Sequence, residues 1–96
     1  MQYITSDNLF TLLQYSNINI IDIRPFYKFK NKHLPNSINI DEKKLIKYPN
    51  KYISKNITYY IICEKGISSK YVSTILNKKG YNTISVIGGF SSLNFI

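Results

Sequence analysis

Cysteine is almost absent from this sequence: Cys63 is the only one in 96 residues. A lone cysteine cannot close an internal disulfide, so the fold does not depend on an oxidising compartment. Long apolar runs are absent too. The start, MQYITSDNLF, has neither the basic beginning nor the apolar stretch of a signal peptide, and no segment is long enough to span a bilayer. The expectation is a cytoplasmic protein with no membrane association. Acidic residues are scarce, 5 against 13 lysines and arginines, which gives a formal net charge of +8. Arginine is scarcer still: Arg24 stands alone, and arginine is the usual base reader and bidentate phosphate clamp. The lysines run from Lys28 to Lys79 without gathering into a block. Specific nucleic-acid binding is therefore not expected. The charge instead draws small anions and acidic partners by long-range attraction.

Apolar residues make up 44% of the chain and aromatics 15%, the composition of a folded protein rather than a disordered one. A chain of this size buries roughly 65% of its extended surface. Residues 1–96 therefore read as one domain, with no repeat, low-complexity tract or linker. Short apolar runs alternate with helical stretches. Strands are predicted at Gln2–Ile4, Ile18–Ile23, Ser37–Ile40, Thr58–Ile62 and Thr83–Ile87. Ile18–Ile23 is almost continuously apolar, as a strand buried in a parallel sheet is. Ser6 is a predicted N-cap ahead of a helical face of Leu9, Phe10, Leu12 and Leu13. Asp41 and Glu42 open a short helix, and Pro49 closes that region. The clearest helix has Ser68 as N-cap and Tyr71, Val72, Ile75 and Leu76 on one face. Lys78 and Lys79 lie in its last turn and Gly80 just beyond. Ile67 and Val72 are spaced as a hydrophobic staple. After Ile87 comes a short tail, GGFSSLNFI. This order predicts an α/β protein: a three-layer α/β/α architecture around a central, mainly parallel five-stranded sheet.

In such a sheet, ligands bind beyond the carboxyl ends of the strands. Cys63 falls at one of those ends, and the loop after it runs into a helix start, whose free N–H groups favour an anion. A thiol placed there is favoured as its thiolate. Gly66 permits a turn in which several amides converge, and Lys65 adds a positive charge. Spacing alone leaves two readings open: a nucleophile in an anion cradle, or a buried core thiol, since cysteine is among the most buried residue types.

Three stretches carry a resemblance. In IIDIRPFYKFKNKHLPNSINI, residues Asp22, Arg24, Phe29, His33 and Leu34 fall where the first signature of rhodanese-like domains has its marked positions. CEKGISS resembles the family's active-site loop at Cys63, Gly66 and Ser69, and KKGYNTISVIGGF resembles its closing signature at Gly80, Tyr81, Gly88 and Gly89. The three occur in the right order and cover most of the chain, which is identified as a member of the compact single-domain rhodaneses. The resemblance implies a sulfurtransferase. Cys63 would attack a sulfane sulfur, such as that of thiosulfate, and hold it as a persulfide until a thiol or cyanide removes it. Glu64, Lys65, Gly66, Ile67 and Ser68 would form the substrate-binding loop, with Asp22, Arg24 and Ser69 behind it. No metal or organic cofactor is implied. The implied partners are small sulfur-containing anions or thiols and a persulfide-donor or acceptor protein.

The sequence also departs from the family pattern. The two loop arginines are replaced by Glu64 and Ser68, the glutamate of the first signature by Lys28, and two of its glycines by Lys32 and Asn36. Leu93 stands near the usual tryptophan. Glu64 is expected to disfavour thiosulfate, a dianion, by like-charge repulsion, with Lys65 a partial compensation. His33 falls in a turn signature and reads as structural or rim. Asp22 and Arg24 share one face of a strand end and read as an ion pair or loop brace. A rhodanese-like binding module with little chemistry is the competing reading. A phosphatase or arsenate reductase is disfavoured because the loop offers Ser68 and Ser69 in place of an arginine clamp. A thiol redox sensor is disfavoured because no second cysteine can resolve an oxidised Cys63.

Overall fold

The structure is a computed structural model and describes residues 2–93. Five strands form one sheet: β1 (Gln2–Thr5), β2 (Asn19–Asp22), β3 (Ser37–Asn39), β4 (Thr58–Ile62) and β5 (Asn82–Ile87). Their order is β1-β5-β4-β2-β3, and every neighbouring pair is parallel. The helices are α1 (Ser6–Tyr15), α2 (Phe26–Asn31), α3 (Glu42–Lys47), α4 (Pro49–Tyr52) and α5 (Ile67–Lys78), with a 3-10 turn at Phe90–Ser92. Among the described residues, no helix is long and apolar enough to cross a membrane.

Both faces of the sheet are covered, which explains the near-continuous apolar runs of its central strands. Alternation along each strand sorts the core into two clusters. Ile21, Ile23, Ile61 and Cys63 pack with Leu45, Ile53, Val72, Leu76 and Tyr81 on one face. Ile20, Ile62 and Val86 pack with Leu9 and Leu34 on the other. The predicted sheet and layering are therefore observed, with strand ends shifted by at most one residue.

Several local expectations are corrected. The N-cap of α1 is Thr5, whose side chain accepts from Asn8 N at 3.1 Å. Ser6 is instead buried, and its hydroxyl donates to Ile87 O and Gly89 O at 3.0 and 2.8 Å. Pro49 opens α4 rather than closing the preceding region, because its missing N–H and fixed φ suit a first helical position. α2 was not expected: none of its six residues is buried, so it has no apolar stripe to read. The start of α5 is Ile67, with Gly66 in the N-cap position, so Ser68 lies inside the helix. Ile67 is 76% exposed and forms no staple, and Tyr71 at 62% leaves the buried face to Val72 and Leu76. The other end of α5 matches expectation, with Gly80 at φ 95° directly after the C-cap Lys79. Of the tail, residues 94–96 lie outside the described residues.

Candidate active site

β4 delivers Cys63 to the carboxyl end of the sheet, beside the end of β2, where Asp22 is registered with Ile62. The thiol is 5% exposed and unpaired with any other cysteine. Its Sγ accepts two backbone N–H groups, from Gly66 at 3.1 Å and from Ser69 at 3.2 Å. Ser69 is the third residue of α5, and its N–H is the one that a capping side chain ordinarily takes. Gly66 has no side chain to do so. The cysteine sulfur is the acceptor in its place, which is the physical reason that Ser68 is not a cap. The turn is tight: at Gly66, φ is 92°, and a Cβ would approach Gly88 N to 2.8 Å.

The loop is held from behind by the residues after β5. Phe90 N donates to Cys63 O at 2.8 Å and Ser91 N donates to Glu64 O at 2.9 Å. A buried hydroxyl pair, Ser69 Oγ with Ser85 Oγ at 3.0 Å, ties the start of α5 to β5. A second pair, Ser73 Oγ with Thr83 Oγ1 at 2.7 Å, repeats the tie one turn later.

Asp22 and Arg24 come together as a buried ion pair. Arg24 Nη2 lies 2.7 Å from Asp22 Oδ2, and Nε is 3.0 Å from both carboxylate oxygens. Nη2 also donates to Lys32 O at 2.7 Å, and the guanidinium carbon sits 3.6 Å from the centre of the Phe90 ring. Its Nη1 points toward Glu64 Oε1, 3.9 Å away, and Lys28 Nζ reaches the same oxygen at 3.3 Å. Two depressions open on Cys63. One, of about 490 Å³, is lined by Arg24, Phe26, Asp41, Glu42, Lys43 and Glu64 among others. The other, of about 380 Å³, is lined by Lys28, Lys65 and Ile67. Glu64 and Ser68 border both. Of the loop residues named from sequence, Gly66 reaches the sulfur, and Glu64 and Ser68 wall the depressions beside it. Ser69, expected behind the loop, places its own N–H on Sγ, while Asp22 and Arg24 pair behind. Lys65 and Ile67 project outward. His33 is exposed and lines neither depression; it stacks on Phe29 with ring centres 3.9 Å apart. Sequence reasoning missed Lys28 as the partner of Glu64 and Phe90 as the clamp on the loop. Their only signals were a charge change in the first signature and a position just after the Gly-Gly pair.

A parallel α/β sheet that presents a cysteine from a strand end into a loop of amides defines a cysteine-loop α/β domain. Comparison with known proteins gives the particular kind. A family model for the rhodanese-like domain matches residues 6–94, and the chain belongs to that family. A crystal structure of a Staphylococcus saprophyticus protein superposes with a TM-score of 0.91 at 30% identity, covering 98% of this chain and 94% of that one. A rhodanese-like domain protein from Staphylococcus aureus gives 0.84 at 28% identity, covering 100% and 99%. Among curated proteins, the chain is 34% identical over 73 residues to the adenylyltransferase and sulfurtransferase uba4 of Ogataea parapolymorpha, covering 75% of this chain. It is 34% identical over 70 residues to the tRNA sulfurtransferase of Thermoplasma acidophilum, covering 69%. It spans 19% and 14% of the length of those two relatives.

Proposed function

We propose that this chain is a sulfurtransferase in which Cys63 carries sulfane sulfur as a persulfide, with residues 1–96 acting as one rhodanese-like domain in the cytoplasm. The observation that carries the reading is the pair of N–H groups, from Gly66 and Ser69, aimed at Cys63 Sγ at 3.1 and 3.2 Å. Donors already fixed on the sulfur meet no reorganisation cost when charge develops there. In the first step the Cys63 thiolate attacks the outer sulfur of the donor. The donor's S–S bond breaks, its leaving group takes the electron pair, and Cys63 becomes a persulfide. In the second step an acceptor thiolate or cyanide attacks the outer sulfur, and Cys63 leaves as thiolate. The sulfurtransferase names of the two curated relatives support this reading.

The test is intact-mass measurement after incubation with a panel of sulfane donors. One added sulfur atom is expected on the wild type, reversible by cyanide, and none on Cys63→Ser. A wild type that takes sulfur from no donor would sink the reading and leave a rhodanese-like binding module.

A further inference from the structure

The chain has 5 acidic residues and 13 basic ones. Three of the five acids, Asp41, Glu42 and Glu64, line the same cleft of about 490 Å³ beside Cys63. A fourth, Asp22, lies buried behind it on Arg24. Of the four cations that line the two depressions, Lys43 and Lys65 are exposed, while Arg24 and Lys28 are already engaged. Arg24 is held by Asp22 at 2.7 Å and turns its Nη1 toward Glu64 at 3.9 Å, while Lys28 pairs with the same Glu64 oxygen at 3.3 Å. The Glu64 carboxylate thus stands where an anionic donor would seek those two cations. It is a resident anion in the mouth of the site.

Distance decides which charge a donor feels. The net +8 is carried largely by lysines spread along the chain. At physiological salt, exposed charges are screened beyond about 8 Å. Glu64 is the next residue after Cys63 and walls both depressions that reach the thiol, so its charge acts inside that length. A donor approaching from afar is drawn by the lysines, and at the mouth it meets a carboxylate.

We infer that Glu64 is a specificity-determining residue that turns this site toward sulfane donors carrying an ammonium group, of the aminoalkyl persulfide class, and against dianionic donors such as thiosulfate. The inference rests on the sulfurtransferase reading and names its substrate class. The Cys63 thiolate attacks the outer sulfur of the aminoalkyl persulfide. The donor's S–S bond breaks, the aminoalkyl thiolate leaves with the electron pair, and the outer sulfur with its proton stays on Cys63. The ammonium rests against Glu64, with Asp41 and Glu42 across the cleft, while the reacting sulfur faces the Gly66 and Ser69 amides.

Sulfur transfer to Cys63 is timed by intact mass with three probes: cysteamine persulfide, the persulfide of 3-mercaptopropionate, and thiosulfate. The first two have the same chain length and opposite charge. Wild type is expected to load from cysteamine persulfide about tenfold faster than from the carboxylate-bearing persulfide. Glu64→Gln is expected to remove most of that ratio and to raise the thiosulfate rate about tenfold. Lys28→Gln, which takes away a cation and leaves Glu64 less neutralised, is expected to widen the ratio, and it gives an independent arm should Glu64→Gln fold poorly. A wild-type ratio near one overturns the inference, as does a ratio unmoved by the substitutions. Either result leaves Cys63 loading, and the sulfurtransferase reading, intact. No sulfur from any of the three probes overturns both.

Discussion

Gly89 is the position where a single methyl group should do the most damage to the Cys63 loop. It stands at φ 63°, ψ −164°, a backbone region open essentially to glycine. A Cβ there would lie 2.6 Å from both Cys63 O and Glu64 O, and 2.7 Å from Glu64 C. These neighbours are backbone atoms and cannot swing aside as a side-chain end can. Gly89→Ala therefore has two costs: about 1–3 kcal/mol for the conformation, and about 1–3 kcal/mol for forcing the two segments apart. The sum is a large share of the roughly 5–15 kcal/mol that holds a domain of this size folded. Gly80→Ala is the comparator. Its φ is 95°, but a Cβ there meets only the flexible end of Lys55, the nearest atom at 3.5 Å. It bears the conformational cost alone, about 1–2 kcal/mol. At about 4–8 °C per kcal/mol, Gly89→Ala should melt about 10–50 °C below wild type and Gly80→Ala about 5–15 °C below. Calorimetry on the three proteins in one buffer gives the comparison. Sulfur loading of Cys63 should also slow in Gly89→Ala at temperatures where it is still folded, and stay near wild type in Gly80→Ala. If Gly89→Ala melts at or above Gly80→Ala, the contact between this turn and the loop is not as argued.

Two further outcomes follow from the buried polar groups. Arg24→Met strands the Asp22 carboxylate, 1% exposed, without its cation, and urea unfolding should show a loss of about 3–5 kcal/mol. Arg24→Lys should recover little, because one ammonium cannot replace the Nε and Nη2 fork on Asp22; a lysine variant as stable as wild type would show that the fork is idle. Ser85→Ala leaves the fully buried Ser69 hydroxyl without its partner and should cost about 1–3 kcal/mol. Removing both hydroxyls should cost less than the two single changes added, and strictly additive values in a double-mutant cycle would refute the pairing.

Most of the sheet was legible because burial on both faces writes itself as runs rich in β-branched and aromatic residues, as in Ile18–Ile23 and Thr58–Ile62. The strand ends were less so, since they depend on where a loop leaves the ladder. What the sequence hid is what tertiary contact decides. Thr5 and Ser6 are both good capping residues, and Ser6 is withdrawn from that role by carbonyls more than eighty positions away, at Ile87 and Gly89. Ser68 looks like a cap because no local rule foresees a cysteine sulfur taking the Ser69 N–H. α2 carries no apolar stripe, so no periodicity marks it. At the site, Cys63 and its loop could be named from residue types and order. The convergence of Lys28 and Arg24 on Glu64 could not, because it joins three segments that meet only after the sheet is assembled.

The closing turn gives the reason that the cradle is rigid before any donor arrives. A trans peptide is planar, and its C=O and N–H point in opposite directions. Phe90 N fixes the Cys63 carbonyl and Ser91 N fixes the Glu64 carbonyl, both on the side of the 3-10 turn. The N–H groups of Glu64 and Lys65 must then face the opposite side of the loop. The next amides used, those of Gly66 and Ser69, already reach the sulfur. Two hydrogen bonds from outside the loop therefore set the direction of the peptide dipoles within it. Loosening the turn is equivalent to letting those dipoles rotate, and the electrostatic advantage of a fixed cradle is lost as soon as its donors must reorganise. Gly89 is thus expected to affect sulfur loading of Cys63 through the loop it supports. Its missing side chain is what lets the turn come close enough to hold the two carbonyls.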